Sequence, residues 1–125
     1  MERAKGAVPL FTEKDVVHDP SRQMFVLDLT PGKKTRKQFG VLEYNRVSSQ
    51  DSAEKRVVYD LYHTEVPPQF RGRGIAKIVT KAAFDTLLTT DEDKAAQLLL
   101  TCTYVQRFYR EHKDEYKHCD IKLPK

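Results

Sequence analysis

Two arginines and two glycines, Arg71-Gly72-Arg73-Gly74, stand between an apolar strand pattern and an apolar helix pattern. A glycine-rich turn that opens a helix leaves backbone N–H groups unpaired at the positive end of the helix dipole. Two guanidinium groups beside such a point make it suited to a diphosphate. The turn therefore predicts a phosphate-bearing ligand before any catalytic residue is considered.

Known phosphate-binding patterns narrow this prediction. A Walker loop needs G-x-x-x-x-G-K-[ST], which the chain lacks. A dinucleotide fingerprint needs a third glycine where Lys77 stands, and an RNA-recognition-motif sheet needs an aromatic signature that Arg71-Gly72-Arg73 does not supply. The pattern that remains is Arg71-x-x-Gly74-x-Ala76, after a strand and before a helix.

Cys102 is the residue best suited to covalent chemistry. It is expected to end an apolar strand and to precede a helix in which Thr103 and Gln106 have capping-box spacing. A helix N-terminus favours a thiolate, which can accept an acyl group as a nucleophile. The competing interpretation is a small core residue, because free cysteine is among the most buried residue types.

Two titratable residues precede the turn. His63 is expected on the strand face opposite Thr64, where it can act as a base, orient the thiolate, or be a half-buried structural histidine. Glu65 can act as a base or form an ion pair with Arg71 or Arg73.

Alternating apolar residues predict three strands ahead of the turn, over residues 22–29, 38–46 and 56–66. Short connections between them favour an antiparallel meander. The third strand is expected to place its side chains on two faces, with Val57, Tyr59 and Leu61 on one and Val58, Tyr62 and Thr64 on the other.

After the turn the apolar spacing changes to i, i+3, i+4, which predicts a helix over residues 74–88. A strand over residues 97–101 and a second helix follow, and the crossover makes this strand parallel to the third. The predicted fold is α+β, with a mixed, mostly antiparallel sheet of about four to five strands and two main helices. Residues 1–125 are expected to form one domain with its core over about residues 18–118.

The composition excludes some classes of protein. No apolar run approaches the roughly 20 residues that cross a bilayer, and residues 1–10 contain no signal-peptide core, so we expect an intracellular, cytoplasmic protein. We also expect it to be a monomer. The two cysteines are expected to be reduced thiols. A net charge of +4 favours anionic partners only in a general way, so a nucleic-acid role is disfavoured.

Residues 66–76 resemble the signature of the GNAT superfamily, the acetyl-CoA-dependent N-acetyltransferases, whose R/Q-x-x-G-x-G/A follows a strand-ending valine and a proline. Together with His63-Thr64-Glu65-Val66-Pro67 and Thr101-Cys102-Thr103-Tyr104-Val105, they resemble the small YjdJ-type branch of that superfamily. The resemblance covers most of the chain from about residue 8. It implies an abbreviated GNAT fold in which residues 30–37 replace two helices and leave the acceptor side open.

The resemblance also implies a site. Backbone amides of the turn would hold the CoA diphosphate, and the implied cofactor-binding residues are Val66, Arg71, Gly72, Arg73, Gly74, Ile75 and Ala76. The candidate catalytic residues are Cys102, the implied nucleophile, and His63. Tyr109 matches the tyrosine that protonates the CoA sulfur in larger members, although its i+4 spacing from Val105 favours core packing.

These observations predict an acetyl-CoA-binding N-acetyltransferase that transfers the acetyl group to an amine acceptor, a protein amine among the candidates, through Cys102. The alternative is a non-catalytic acyl-CoA-binding or interaction module. A basic nucleic-acid-binding domain ranks third.

Overall fold

The computed structural model describes residues 11–48, 57–89 and 96–124. Within them lie six strands, two α-helices and three short 3₁₀ turns. The elements in chain order are β1 (Val17–Asp19), β2 (Met24–Asp28), β3 (Phe39–Ser48), β4 (Val57–Glu65), α1 (Ile75–Thr89), β5 (Ala96–Leu100), α2 (Thr103–Glu111) and β6 (Asp120–Lys122), with 3₁₀ turns at Glu13–Asp15, Pro68–Phe70 and Lys113–Tyr116. Residues 1–10, where no signal peptide is expected, lie outside the described residues.

The strands form one mixed sheet in the order in which they occur along the chain. β1 to β4 make the predicted antiparallel meander, and β5 pairs parallel to β4 as the crossover requires. The predicted number of about four to five strands was too low, because β1 and β6 were missed. Each of those strands has three residues, too few to show an alternating pattern.

Both helices pack on the same face of this sheet. Gly40 on β3 allows α1 to lie close, since a Cβ at this glycine would stand 2.7 Å from Ile75 Cγ2. α2 then packs beside α1, where the rings of Phe84 and Phe108 meet edge to face at 5.2 Å between centroids. The core between sheet and helices contains Leu42, Leu61 and Leu98, each with no exposed surface.

α1 begins directly after the turn, because the Ile78 N–H donates to the Gly74 carbonyl at 3.1 Å. The predicted apolar spacing is confirmed, with Ile75, Val79, Ala83 and Leu87 buried. No α-helix occupies residues 30–37, which connect β2 to β3. Among the described residues, no helix has both the length and the apolar character that a membrane span requires.

Candidate acetyl-CoA site

The site begins where β4 and β5 separate. The two strands pair from Val57 with Ala96 to Leu61 with Leu100, and β4 then continues to Glu65 with β3 as its one neighbour in the described part of the chain. The Leu61 carbonyl accepts the N–H groups of both Thr101 (3.1 Å) and Cys102 (3.0 Å), which turns the chain away into α2. A cleft therefore opens between the end of β4 and the start of α2.

A β-bulge at Tyr62 decides which β4 side chains face this cleft. Tyr44 pairs with Leu61 and Glu43 pairs with His63, so Tyr62 is an extra residue on β4. Thr64 consequently lies opposite Leu42, on the same face as Leu61. Simple alternation placed Thr64 on the face opposite Leu61, and that prediction was wrong because it assumed an unbroken two-residue period.

The turn after β4 has the backbone conformation that its glycines allow. Gly72 and Gly74 have φ of +79° and +78°, values that residues with a Cβ rarely adopt. The Arg71 Nε donates to the Val66 carbonyl at 3.0 Å, and the Arg73 guanidinium lies 5.5 Å from the centre of the Phe70 ring. The side chains of Arg71 and Arg73 thus stabilise the conformation of this segment. Its backbone N–H groups lie immediately before the first helical turn of α1.

A cavity of about 420 Å³ lies at the junction of β4, the turn, α1 and α2. This volume is within the range of ligand-binding sites. Its walls are formed by Thr64, Val66, Phe70, Arg71, Gly72, Gly74, Ile75, Ala76, Lys77, Tyr104 and Arg107. Among the described residues, these walls include three cationic side chains and no carboxylate, so this part of the cavity is electropositive.

Six of the seven predicted cofactor-binding residues line this cavity, and Arg73 is the exception. The sequence reading missed the contributions of Thr64, Phe70 and Lys77, and of Tyr104 and Arg107 on α2. Tyr104 and Arg107 are three residues apart, which places both side chains on one side of α2. This spacing was the signal in the sequence that could have identified them as a pair. The Arg107 guanidinium lies 5.5 Å from the Tyr104 ring centre, and burial is the main cause that raises the pKa of Tyr104.

Cys102 is half-buried beside the cleft, where its Sγ lies 3.5 Å from Thr64 Oγ1. It contacts the cavity-lining Thr64 but is not itself among the residues that form the cavity walls. It is itself the N-cap residue of α2, with Thr103 as the first helical residue. The predicted capping box was therefore wrong, because the Gln106 side chain donates to the Leu100 carbonyl at 3.0 Å instead of returning to Thr103. Cys102 and Cys119 are both free thiols, as expected.

The structure does not bring His63 to Cys102. His63 pairs with Glu43 and so faces the other side of the sheet from Thr64, and its Nε2 lies 3.4 Å from Glu65 Oε1. Glu65 is exposed and forms no ion pair with Arg71 or Arg73. This arrangement does not support a role for His63 in orienting the Cys102 thiol. His63 and Glu65 lie near the cleft, but on the opposite face of the sheet.

Tyr109 is half-buried and packs against the hydrophobic core. It does not line the cavity, whose α2 wall is made by residues 104 and 107. Its position therefore agrees with the packing role that its spacing from Val105 favours.

Comparison with known proteins defines the class to which this fold and site belong. A family model described as GCN5-related N-acetyl-transferase matches residues 28–119, and the chain belongs to that family. The matched segment includes β4, the turn, both helices and the cavity.

Several similar proteins bear the name Protein NATD1. The chain is 40% identical to that of Homo sapiens over 117 residues, which is 90% of each chain. It is 43% identical to that of Gallus gallus (78% of this chain and 74% of the relative) and 41% identical to that of Danio rerio (86% and 84%). Among solved structures, an acetyltransferase of Trypanosoma brucei is similar with a TM-score of 0.45 and 14% identity, over 74% of this chain and 63% of its own.

Proposed function

We propose that the chain binds acetyl-CoA in the cleft and transfers the acetyl group to an amine acceptor, with Cys102 as the first acceptor of the acetyl group. The observation that carries the proposal is the cavity of about 420 Å³ at the start of α1, whose described wall residues include three cations and no carboxylate. Membership of the GCN5-related N-acetyltransferase family supports the same reaction class.

The ligand would be held by groups of different kinds along the cleft. The Arg71 N–H already donates to the Pro68 carbonyl at 3.2 Å, so the diphosphate would be held by the later N–H groups of the turn and the start of α1, whose hydrogen bonds add to the helix dipole. Lys77 and Arg107 add positive charge from the two helices. The unpaired edge of β4 offers backbone groups to the pantetheine amides, and the Val66 carbonyl retains one lone pair beside its bond from Arg71.

The proposed chemistry uses two transfers. The Cys102 thiolate attacks the thioester carbonyl carbon, the carbon–sulfur bond of the thioester breaks, and the released CoA thiolate takes up a proton. An amine then attacks the S-acetyl group on Cys102, the amide bond forms, and the cysteine thiolate is regenerated. The proton lost by the amine passes to a base, for which His63 and Glu65 on the outer face of the sheet are the candidates.

The alternative from another class is an acyl-CoA-binding module that does no chemistry. One observation favours it. In the described part of the chain, the Thr64 hydroxyl is the one hydrogen-bond partner of the Cys102 thiol, and no acid or base lies within that reach. An enzyme that uses Cys102 would then rely on the α2 N-terminus and on water to favour the thiolate.

Two measurements test the proposal. Calorimetry with acetyl-CoA and with CoA tests binding. If neither ligand gives a heat of binding at millimolar concentration, both the acetyltransferase and the acyl-CoA-binding module are contradicted. Incubation with acetyl-CoA, followed by intact-mass analysis of protein and a panel of amines, separates the enzyme from the binding module.

A matched pair of glycine variants tests the location of the site. Gly74→Glu introduces a side chain at φ +78° and a negative charge beside the turn, so we expect acetyl-CoA binding to be lost. Gly32→Glu is the control, since its Cβ would meet open space at an ordinary φ. Equal affinities in the two variants would mean that the turn does not contact the ligand.

A further inference from the structure

One face of the sheet carries neither helix. α1 and α2 pack on the side of Gly40 and Leu42, so the alternate residues of β2, β3 and β4 point away from the core. On this outer face Val17 is 63% exposed and Phe39 is 40% exposed, and exposed apolar side chains indicate an interaction site where they form a contiguous patch. In the described residues, nothing packs over them.

The apolar residues of the outer face form a row that leads to the cleft. Val17 pairs with Val26, Val26 with Val41, and Val41 with Glu65, so the row crosses four adjacent strands. Three strand spacings of about 4.8 Å give a row of roughly 14 Å. Because an extended chain advances about 3.3 Å per residue, the row matches about four residues of polypeptide, which is longer than a small amine needs.

The charge of the outer face is opposite to that of the whole chain. Glu43 and Glu65 flank the end of the apolar row, and Asp60 lies on the same face of β4. Within β2, β3 and β4, His63 is the one basic residue among the described outward-facing residues, and it lies against Glu65. Lys37, immediately before β3, forms an ion pair of 2.9 Å with the outward-facing Asp28. The charges of Glu43, Asp60 and Glu65 therefore have no lysine or arginine partner among the described outward-facing residues of these strands. A chain of net charge +4 thus presents an acidic, partly apolar surface at this place.

This surface adjoins the proposed site of chemistry. Thr64 points into the cleft beside Cys102, whereas its neighbours on β4, His63 and Glu65, point to the outer face. Because β5 does not pair with β4 beyond Leu61, a single strand separates the outer face from the cleft at Thr64. An amine held at the end of the apolar row therefore needs to pass only the edge of β4 to reach the Cys102 sulfur.

We infer that the outer face is a docking surface for a basic polypeptide segment of another protein, whose lysine amine is the acetyl acceptor. The inference rests on the proposed function for the fate of the amine. The apolar row binds the segment, the carboxylates of Glu43 and Glu65 attract its positive charges, and the lysine reaches the cleft beside Thr64.

A pair of short fluorescent peptides tests this surface. Both are blocked at their ends and contain one lysine and two valines, and they differ in having arginines or glutamates beside the lysine. We expect the arginine peptide to bind the full chain at low salt, to lose affinity as salt rises, and to be acetylated on its lysine. Equal binding of the glutamate peptide would overturn the inference.

Matched variants locate the surface. Phe39→Ser with Glu43→Gln removes one apolar and one acidic group from the outer face, and should weaken peptide binding about tenfold. Leu123→Ser with Glu115→Gln is the control, since it also removes one apolar and one acidic group, but at exposed residues outside this face. This control should leave peptide binding unchanged. Val17→Lys, at a largely exposed position, adds a repelling charge without a packing loss and should also weaken binding.

The outcomes separate this inference from the proposed function. Acetyl-CoA binding without preference for the arginine peptide, or equal peptide affinities of the outer-face and control variants, overturns the docking surface alone. Peptide binding without acetyl-CoA binding overturns the proposed function and leaves the surface standing. Thermal unfolding and acetyl-CoA affinity of each variant confirm that the fold is intact.

Discussion

Thr64 and Cys102 lie across the point where β4 and β5 separate, with 3.5 Å between Oγ1 and Sγ. They are 38 residues apart in sequence and meet because the bulge at Tyr62 turns Thr64 toward the core side of the sheet. The contact joins the unpaired end of β4 to the N-cap of α2. It also places a hydroxyl beside the thiol that we propose as the nucleophile.

Replacing Cys102 tests the covalent route. Cys102→Ala should lower the rate of acetyl transfer at least 100-fold, about 2.7 kcal/mol in activation free energy, because the first acceptor of the acetyl group is lost. Intact mass after incubation with acetyl-CoA should show one acetyl group on the parent protein and none on the variant. Cys119→Ala, at the other half-buried thiol, is the control. A parent-like rate in Cys102→Ala would establish direct transfer to the amine instead.

Arg107 is predicted to contribute to ligand affinity from α2. It lines the cavity and forms no ion pair with another described residue, so its charge is available to a phosphate. Arg107→Gln should weaken acetyl-CoA binding about fivefold in calorimetry, the effect of one partly exposed charge. Arg110→Gln on the same helix changes an exposed arginine outside the cavity wall and should bind as the parent does. Equal losses in both variants would indicate a long-range charge effect rather than contact.

Gly40 is predicted to control the position of α1. A Cβ at this residue would come within 2.7 Å of Ile75 Cγ2, so Gly40→Ala should lower the free energy of unfolding by about 1–3 kcal/mol through overpacking. Ile75→Ala removes the opposing methyl group, and the double variant should lose less stability than the sum of the two single changes. Urea unfolding measures all three, with Gly32→Ala as the control in open space. Additive losses would show that α1 does not press on Gly40.

His18 is predicted to make the fold sensitive to acid. Its ring stacks on Phe25 at 4.2 Å between centroids, and its Nε2 lies 2.6 Å from the Tyr44 hydroxyl. Burial lowers the pKa of His18 below 6.5, although the charge of Asp19 acts in the opposite direction. The unfolded chain therefore binds the proton more readily. This contribution to stability is complete above pH 6.5 and is lost as the pH falls through the lower folded value.

Urea unfolding between pH 5 and 7.5 measures this effect, whose slope cannot exceed about 1.4 kcal/mol per pH unit for one proton. His18→Phe keeps an aromatic ring on Phe25 and should flatten the dependence. Replacing the exposed His118 by Gln should leave the pH dependence of the unfolding free energy unchanged. If the parent and His18→Phe show the same slope, the acid sensitivity comes from other groups.

The sequence was sufficient for the elements with strong periodicity and for the turn. α1 was predicted within one residue at each end, and the meander from β2 to β4 followed from alternation. The turn could be identified from its glycines, because a backbone φ near +78° is adopted by glycine with less strain than by residues that have a Cβ. These are local signals, carried by neighbouring residues.

What the sequence could not predict depends on contacts between distant residues. The bulge at Tyr62 arises from pairing with β3, and nothing in the local alternation marks it. The cap of α2 was assigned to Thr103 because side-chain spacing does not reveal that Gln106 reaches the Leu100 carbonyl. Arg107 joins the cavity only because α2 packs beside α1. Its i, i+3 spacing from Tyr104 indicated a shared side of the helix, but it could not show that this side meets the cavity.

The separation of β4 from β5 also creates a hazard that the chain limits. From His63 to Glu65, β4 pairs with β3 and, within the described residues, has no strand on its other side, so its backbone groups are an internal edge at which a foreign strand could add. Pro67 and Pro68 follow at once, and neither has an N–H to donate to an added strand. These prolines keep the edge short, so the opening of the cleft offers little template for aggregation.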